Sequence, residues 1–118
     1  MNQTAKPSCD QLHQEAMHYA ELAVKEEKMG EKDKAIHYFQ KAYHLENQAA
    51  MMLAYQLEAE PSRSVLFRSA AYLAIKATKY RKAERMAAFG LIVYPPSEIA
   101  IELRAAFKES QTHLKLVA

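Results

Sequence analysis

Apolar residues recur along this chain in steps of three and four, and nowhere do they alternate with polar residues over a useful run. From Cys9 to Met29 the apolar positions Leu12, Ala16, Tyr19, Ala20, Leu22, Ala23 and Met29 fall on one stripe of a helix. Ser8 or Asp10 supplies a cap for its start. Gly30 suits its end, because glycine enters the left-handed conformation without a Cβ penalty. A second helix opens near Asp33, with Ala35, Ile36, Phe39, Ala42, Tyr43 and Leu45 facing inward. No glycine or proline interrupts residues 33–59, and Ala49, Ala50, Met52, Leu53, Tyr55 and Leu57 extend the apolar content. The expectation is one long helix to about residue 59, on the order of 40 Å in length, with a break near Glu46-Asn47 as the alternative.

Glu60-Pro61-Ser62-Arg63-Ser64 reads as a helix start, since proline is tolerated in a first turn and Ser62 or Ser64 can cap. A third helix through about Ala77 carries Val65, Leu66, Ala70, Leu73 and Ala77 inward. Thr78 and Lys79 then turn the chain into a fourth helix, from Tyr80 to about Val93, with Ala83, Met86, Ala87 and Gly90 on its inner face. Pro95-Pro96 ends it, because the residue before a proline is pushed out of the helical region. Ser97-Glu98 opens a fifth helix through about Leu114, with Ile99, Ile101, Leu103, Ala106 and Phe107 apolar. Residues 1–8 read as a flexible tail and residues 9–118 as a single all-α domain of about five helices.

Composition supports that reading. Half of the 118 residues are apolar and a quarter charged, and two glycines with four prolines leave room for few turns. Alanine and the other strong helix formers dominate. Cys9 is the single cysteine, so neither an intramolecular disulfide nor a multi-cysteine metal site is expected. The opening MNQTAKPSCD lacks the apolar segment of a secretory signal. Apolar runs such as residues 49–55 fall far below the roughly 20 residues of a membrane span. A cytoplasmic protein without membrane association is the expectation. Net charge is +2 but divided: residues 1–60 carry six lysines, no arginine and ten acids for −4, and residues 61–118 carry ten bases and four acids for +6. Such a charge dipole bears on partners more than on fold.

Two stretches align with each other. Gly30-Glu31-Lys32-Asp33-Lys34-Ala35, followed by Phe39 and Ala42, matches Thr78-Lys79-Tyr80-Arg81-Lys82-Ala83, followed by Ala87 and Gly90, with Pro95 beyond. The pair resembles the tetratricopeptide repeat (TPR) pattern, in which a turn glycine precedes a small residue, an apolar residue and a further alanine, and a proline closes the unit. The likeness covers about residues 13–96 and extends to bacterial TPR-like proteins of uncharacterised type; the first hairpin also looks like three-helix domains that bind trafficking components. It departs from the family in its 48-residue offset, in place of 34, and in Ala23, Glu26, Ala71 and Ala74 where a glycine and a tyrosine are usual. The resemblance implies antiparallel helical hairpins with a long second helix, whose tail holds the extra residues, and a role in binding proteins. The family's carboxylate clamp is absent: Met17, Ala20, Val24, Glu27 and Lys28 occupy the first set of groove positions, with no asparagine and one lysine. Independently of the likeness, antiparallel helices approach closely only where facing residues are small, which Ala35, Ala42, Ala83 and Gly90 provide, while Phe39 fills the gap between hairpins.

Arg68, Tyr72 and Lys76 are spaced i, i+4, i+8 on one face of the third helix, and Lys79 extends the row. A basic, aromatic ladder of this kind suits an acidic peptide or C-terminus; the competing view is a solvated face, with Arg68 paired to an acid of the first half. Lys76, Lys79, Arg81, Lys82 and Arg85 could touch phosphates, but a net charge of +2 and the lack of a nucleic-acid motif argue against it. His37 and His44 share a helix face and Cys9 and His13 stand four apart, yet the sequence has no metal-binding motif, phosphate loop or nucleophile elbow. No cofactor, metal or catalytic residue is expected. Met51, Met52, Leu53 and Tyr55 need a cover, from helices three to five or from a second copy of the chain. The sequence thus points to a non-enzymatic protein–protein interaction module. Self-association, acidic half to basic half, and a nucleic-acid accessory role are the alternatives.

Overall fold

The computed structural model describes residues 6–117, with side chains through residue 115. Five α-helices follow in order: α1 (Cys9–Lys28), α2 (Lys32–Met52), α3 (Ser62–Lys76), α4 (Tyr80–Leu91) and α5 (Ser97–Val117). A short 3-10 turn, Leu57–Ala59, lies between α2 and α3, and no strand occurs among the described residues. Residues 1–5 of the expected tail lie outside the described residues. Ser8, assigned to that tail, belongs to α1's cap: its hydroxyl accepts the Gln11 N–H at 3.1 Å, and the Gln11 side chain accepts the Ser8 N–H at 2.8 Å. Two orphan helix donors are satisfied at once.

Consecutive helices pack as antiparallel neighbours, and α3 also contacts α5. α3 is therefore surrounded by α2, α4 and α5. Its Leu66, Phe67, Ala70, Ala71, Leu73, Ala74 and Ile75 are all buried, as expected of a helix apolar on most of its circumference. The whole measures 45 × 37 × 24 Å. No described helix is long and apolar enough to cross a membrane.

The internal repeat is visible in backbone hydrogen bonds. Gly30 takes φ 78° and Thr78, 48 residues on, takes φ 60°. The Glu31 N–H donates to the Glu26 carbonyl at 2.9 Å, and the Lys79 N–H donates to that of Ala74 at 2.8 Å. Gly30 bonds Glu27 as Thr78 bonds Ile75, and Ala35 bonds Glu31 as Ala83 bonds Lys79. The same helix-ending motif, with one left-handed residue, thus turns α1 into α2 and α3 into α4.

The four small residues face neighbouring helices. Ala35, Ala42 and Ala83 are buried, and a Cβ added at Gly90 would lie 2.7 Å from a Leu103 methyl carbon and 3.0 Å from Phe67 Cβ. Gly90 sets how closely α4 approaches α3 and α5. Gly90→Ala is expected to destabilise the fold by about 1–2 kcal/mol. The overpacking cost of ~1–3 kcal/mol exceeds a propensity gain that is below ~1 kcal/mol near a helix end. Urea unfolding checks this, and a variant as stable as the parent would show that Leu103 has room to yield.

α2 is shorter than the sequence suggested. It ends at Met52, and residues 53–61 form an irregular connection in place of further helix. The cause is tertiary. The Ala54 carbonyl, which an unbroken helix would give to the residue-58 N–H, accepts the Arg63 Nε–H at 2.7 Å. Ala54 itself is buried, while Tyr55 and Leu57 are exposed; a longer α2 would have carried the chain past the hairpin with nothing to pack on. The start of α3 differs as well: neither Ser62 nor Ser64 caps it, and the Glu60 carboxylate accepts the Ser64 N–H at 3.0 Å. α4 stops at Leu91, two residues early, and α5 runs three residues beyond Leu114.

Candidate functional site

α1 and α3 both pack on α2 and flank a groove. Its first end, about 400 Å³, is lined by Cys9, Asp10 and His13 of α1, Leu53 and Pro61 of the connection, and Ser62, Val65 and Leu66 of α3. At its second end Lys76 of α3 pairs with Glu27 of α1 at 3.2 Å and lies 5.5 Å from the centre of the Phe39 ring on α2. Between the two ends, Met17, Ala20, Glu21 and Val24 border an open hollow of about 440 Å³ on α1.

The structure divides the sequence-derived row between α5 and α1 and engages most of it within the chain. Arg68 Nη1 meets Glu102 Oε1 of α5 at 2.8 Å. The Tyr72 hydroxyl donates to the Glu102 carbonyl at 3.2 Å. Burial pushes the Tyr72 phenol above its ordinary value of 10.0, helped by Glu102 and Glu109 and opposed by Arg68. Arg68 and Tyr72 thus tie α3 to α5, and Lys76 ties it to α1. The partner of Arg68 comes from the second half of the chain, not from the first as the solvated-face view had it. Lys79 is exposed in the turn before α4, and its side chain makes no hydrogen bond or ion pair among the described residues. Within the neighbouring basic run, Arg81 pairs with Glu84 at 3.2 Å and Lys82 lies over the Tyr43 ring at 5.9 Å.

Two buried ionic groups were not singled out from the sequence. Glu46 of α2 is fully buried, and both its oxygens lie 2.9 Å from His13 Nδ1. With Nδ1 turned to the carboxylate, the rest of the His13 ring, 39% exposed, borders the groove. A signal existed, since Glu46 continues the stripe Ala35, Phe39, Ala42 in steps of three and four. Arg63, 1% exposed, donates to the Ala54 and Phe89 carbonyls, each at 2.7 Å, and reaches Glu60 at 3.4 Å. Its carbonyl partners stand 9 and 26 residues away, so no local pattern announces it.

Cys9, beside this end of the groove, donates its thiol to the Ala49 carbonyl at 3.5 Å. Burial raises the thiol above its ordinary value of 9.0, and Asp10 and Glu46 add to the effect. It stays protonated at neutral pH and is a poor nucleophile. Among the described residues no three His, Cys, Asp or Glu side chains converge where a metal ion could bind. His37 and His44 line a shallow hollow of about 360 Å³ on the outer side of the first hairpin, with Tyr19, Gln40, Lys41 and Leu45. What the α1–α3 groove offers chemically is apolar area and, at its second end, a lysine whose counter-ion faces water; Arg68 and Tyr72 add a cation and a hydroxyl on the α5 side of α3. Comparison with protein-family models, with curated proteins and with solved structures finds no match to this chain, so its reading rests on its own geometry.

Proposed function

We propose that this chain is a non-enzymatic, cytoplasmic protein–protein interaction module, TPR-like in its paired hairpins, whose α1–α3 face receives an acidic peptide or partner helix. The observation that carries the reading is the row Arg68, Tyr72 and Lys76, whose cations pair, among the described residues, with the half-exposed carboxylates of Glu102 and Glu27. An exposed pair of this kind contributes only ~0.2–1 kcal/mol, so a partner's carboxylates can replace those of the chain at small cost. Tyr72 adds contact area, and Met17, Ala20 and Val24 supply the apolar surface that turns a charge exchange into net affinity.

Fluorescence anisotropy with labelled peptides of rising glutamate content tests the reading. Affinity is expected to rise with acid count, to fall with added salt, and to drop about tenfold in Arg68→Glu/Lys76→Glu, a difference of ~1.4 kcal/mol. Both positions are partly exposed, so the variant keeps its helical circular dichroism. Equal binding by parent and variant, with both folded, would remove this face from the account.

A further inference from the structure

Nine large apolar side chains are exposed among the described residues. Val24 and Met29 lie elsewhere, and the other seven gather at one end of the molecule, where α2 and α4 finish and α5 begins. Tyr55 is 83% exposed, Tyr94 96%, Ile92 68% and Ile101 64%. Arg63 joins the two segments at this end, holding the Ala54 and Phe89 carbonyls on one guanidinium. Ile92, Tyr94, Ile101 and Arg104 border a hollow of about 550 Å³.

The charges at this end are divided. Glu58 follows Leu57 in the connection, is exposed, and has no ion-pair partner among the described residues. Arg104 borders the hollow on the α4–α5 side, is exposed, and likewise has none. Glu98, close to Arg104 in sequence, sits in the first turn of α5, where the helix dipole offsets a negative charge.

We propose that this end is the interface of a two-fold dimer, with Tyr55, Leu57 and Glu58 of each copy seated on Ile92, Tyr94, Ile101 and Arg104 of the other. The surface carries both members of the match, so a two-fold axis through its middle places each on its complement twice and closes the assembly. Tyr55, Leu57, Ile92, Tyr94 and Ile101 offer on the order of 600 Å², taking ~150–200 Å² for a fully exposed side chain, and Met51 and Met52 beside them bring the patch to about the 800 Å² share of each partner in a standard interface. Glu58 meets Arg104 of the second copy at the rim, where a charge pair sets register more than strength. The surface borders the first end of the α1–α3 groove, which shares the connection through Leu53 and Pro61, and lies away from the Lys76–Glu27 end.

Sedimentation velocity over two decades of protein concentration tests the proposal. The parent is expected to pass from monomer to dimer. Tyr94→Glu should weaken association at least tenfold, because it buries a charge among apolar side chains. Glu58→Arg and Arg104→Glu should each weaken it about tenfold through like-charge opposition, and the double variant Glu58→Arg/Arg104→Glu should restore it. All of these positions are exposed, and an unchanged far-UV circular dichroism spectrum verifies the fold of each variant. A parent that stays monomeric at every concentration overturns the dimer. A dimer indifferent to Tyr94→Glu, or charge reversals that the double variant fails to rescue, overturns this interface.

Discussion

Arg63→Ala is expected to remove about 3–5 kcal/mol of stability, the largest loss from any single substitution considered for this chain. The guanidinium is 1% exposed, and taking its charge out of water costs several kcal/mol. Four contacts offset that cost: the Ala54 and Phe89 carbonyls at 2.7 Å, the Glu60 carboxylate at 3.4 Å, and the face of Phe67 with its ring centre 5.1 Å away. Truncation leaves two carbonyls without their donor, a carboxylate without its cation, and a void beside the Phe67–Phe89 stack. A small domain has about 5–15 kcal/mol in total, so the variant is at most marginally folded. Urea unfolding followed by far-UV circular dichroism measures the loss. Arg63→Met keeps most of the volume and loses the donors; its shortfall against the parent isolates the polar share, and its gain over Arg63→Ala the packing share. A loss below ~1 kcal/mol in Arg63→Ala would mean that the end of α2 and the end of α4 hold together without this residue.

His13→Ala is expected to cost about 3 kcal/mol, and Glu46→Leu far less or nothing, although both break the same pair. The difference is one of burial. Glu46 is fully buried and has His13 Nδ1 as its hydrogen-bond partner, so removing the imidazole strands a carboxylate in the core. His13 is 39% exposed, and without Glu46 it turns to water. Leucine at 46 also continues the apolar stripe of α2 and joins the cluster between α1 and α2. The double variant His13→Ala/Glu46→Leu should recover most of what His13→Ala loses, so the two residues couple strongly although Glu46→Leu alone costs little. Equal losses for the two single variants would instead show that the pair contributes net stability.

Much of the architecture was legible in the residues. Periodicity in steps of three and four located all five helices, since each buries at least one apolar stripe and that stripe is a local property of the chain. Gly30 marked the first turn because few other residues accept a positive φ, and its counterpart Thr78 was found through the repeat, not through its own chemistry. The small residues 35, 42, 83 and 90 proved to be points of close helix approach because a missing side chain has a geometric consequence wherever the helix packs. The excess length given to α2 has an equally definite cause. Residues 53–59 contain nothing that forbids a helix, and only Arg63, several residues further on, withdraws the Ala54 carbonyl from it.

The candidate face divides in the same way. That Arg68, Tyr72 and Lys76 share one side of α3 follows from the 3.6-residue period alone. That Arg68 and Tyr72 reach α5 while Lys76 reaches α1 depends on which helices flank α3, and no spacing in the sequence encodes it. By itself, then, the sequence determined helix class, the number of helices, the repeated turn and the positions where helices come close, because each of these is set by neighbours within about one turn. Only the tertiary structure decided where α2 stops, how the buried charges of Arg63 and Glu46 are met, which acids hold the basic row, and that the exposed apolar residues gather at one end. Those outcomes depend chiefly on partners as far as 49 residues away along the chain, brought within hydrogen-bond distance only once the helices have packed.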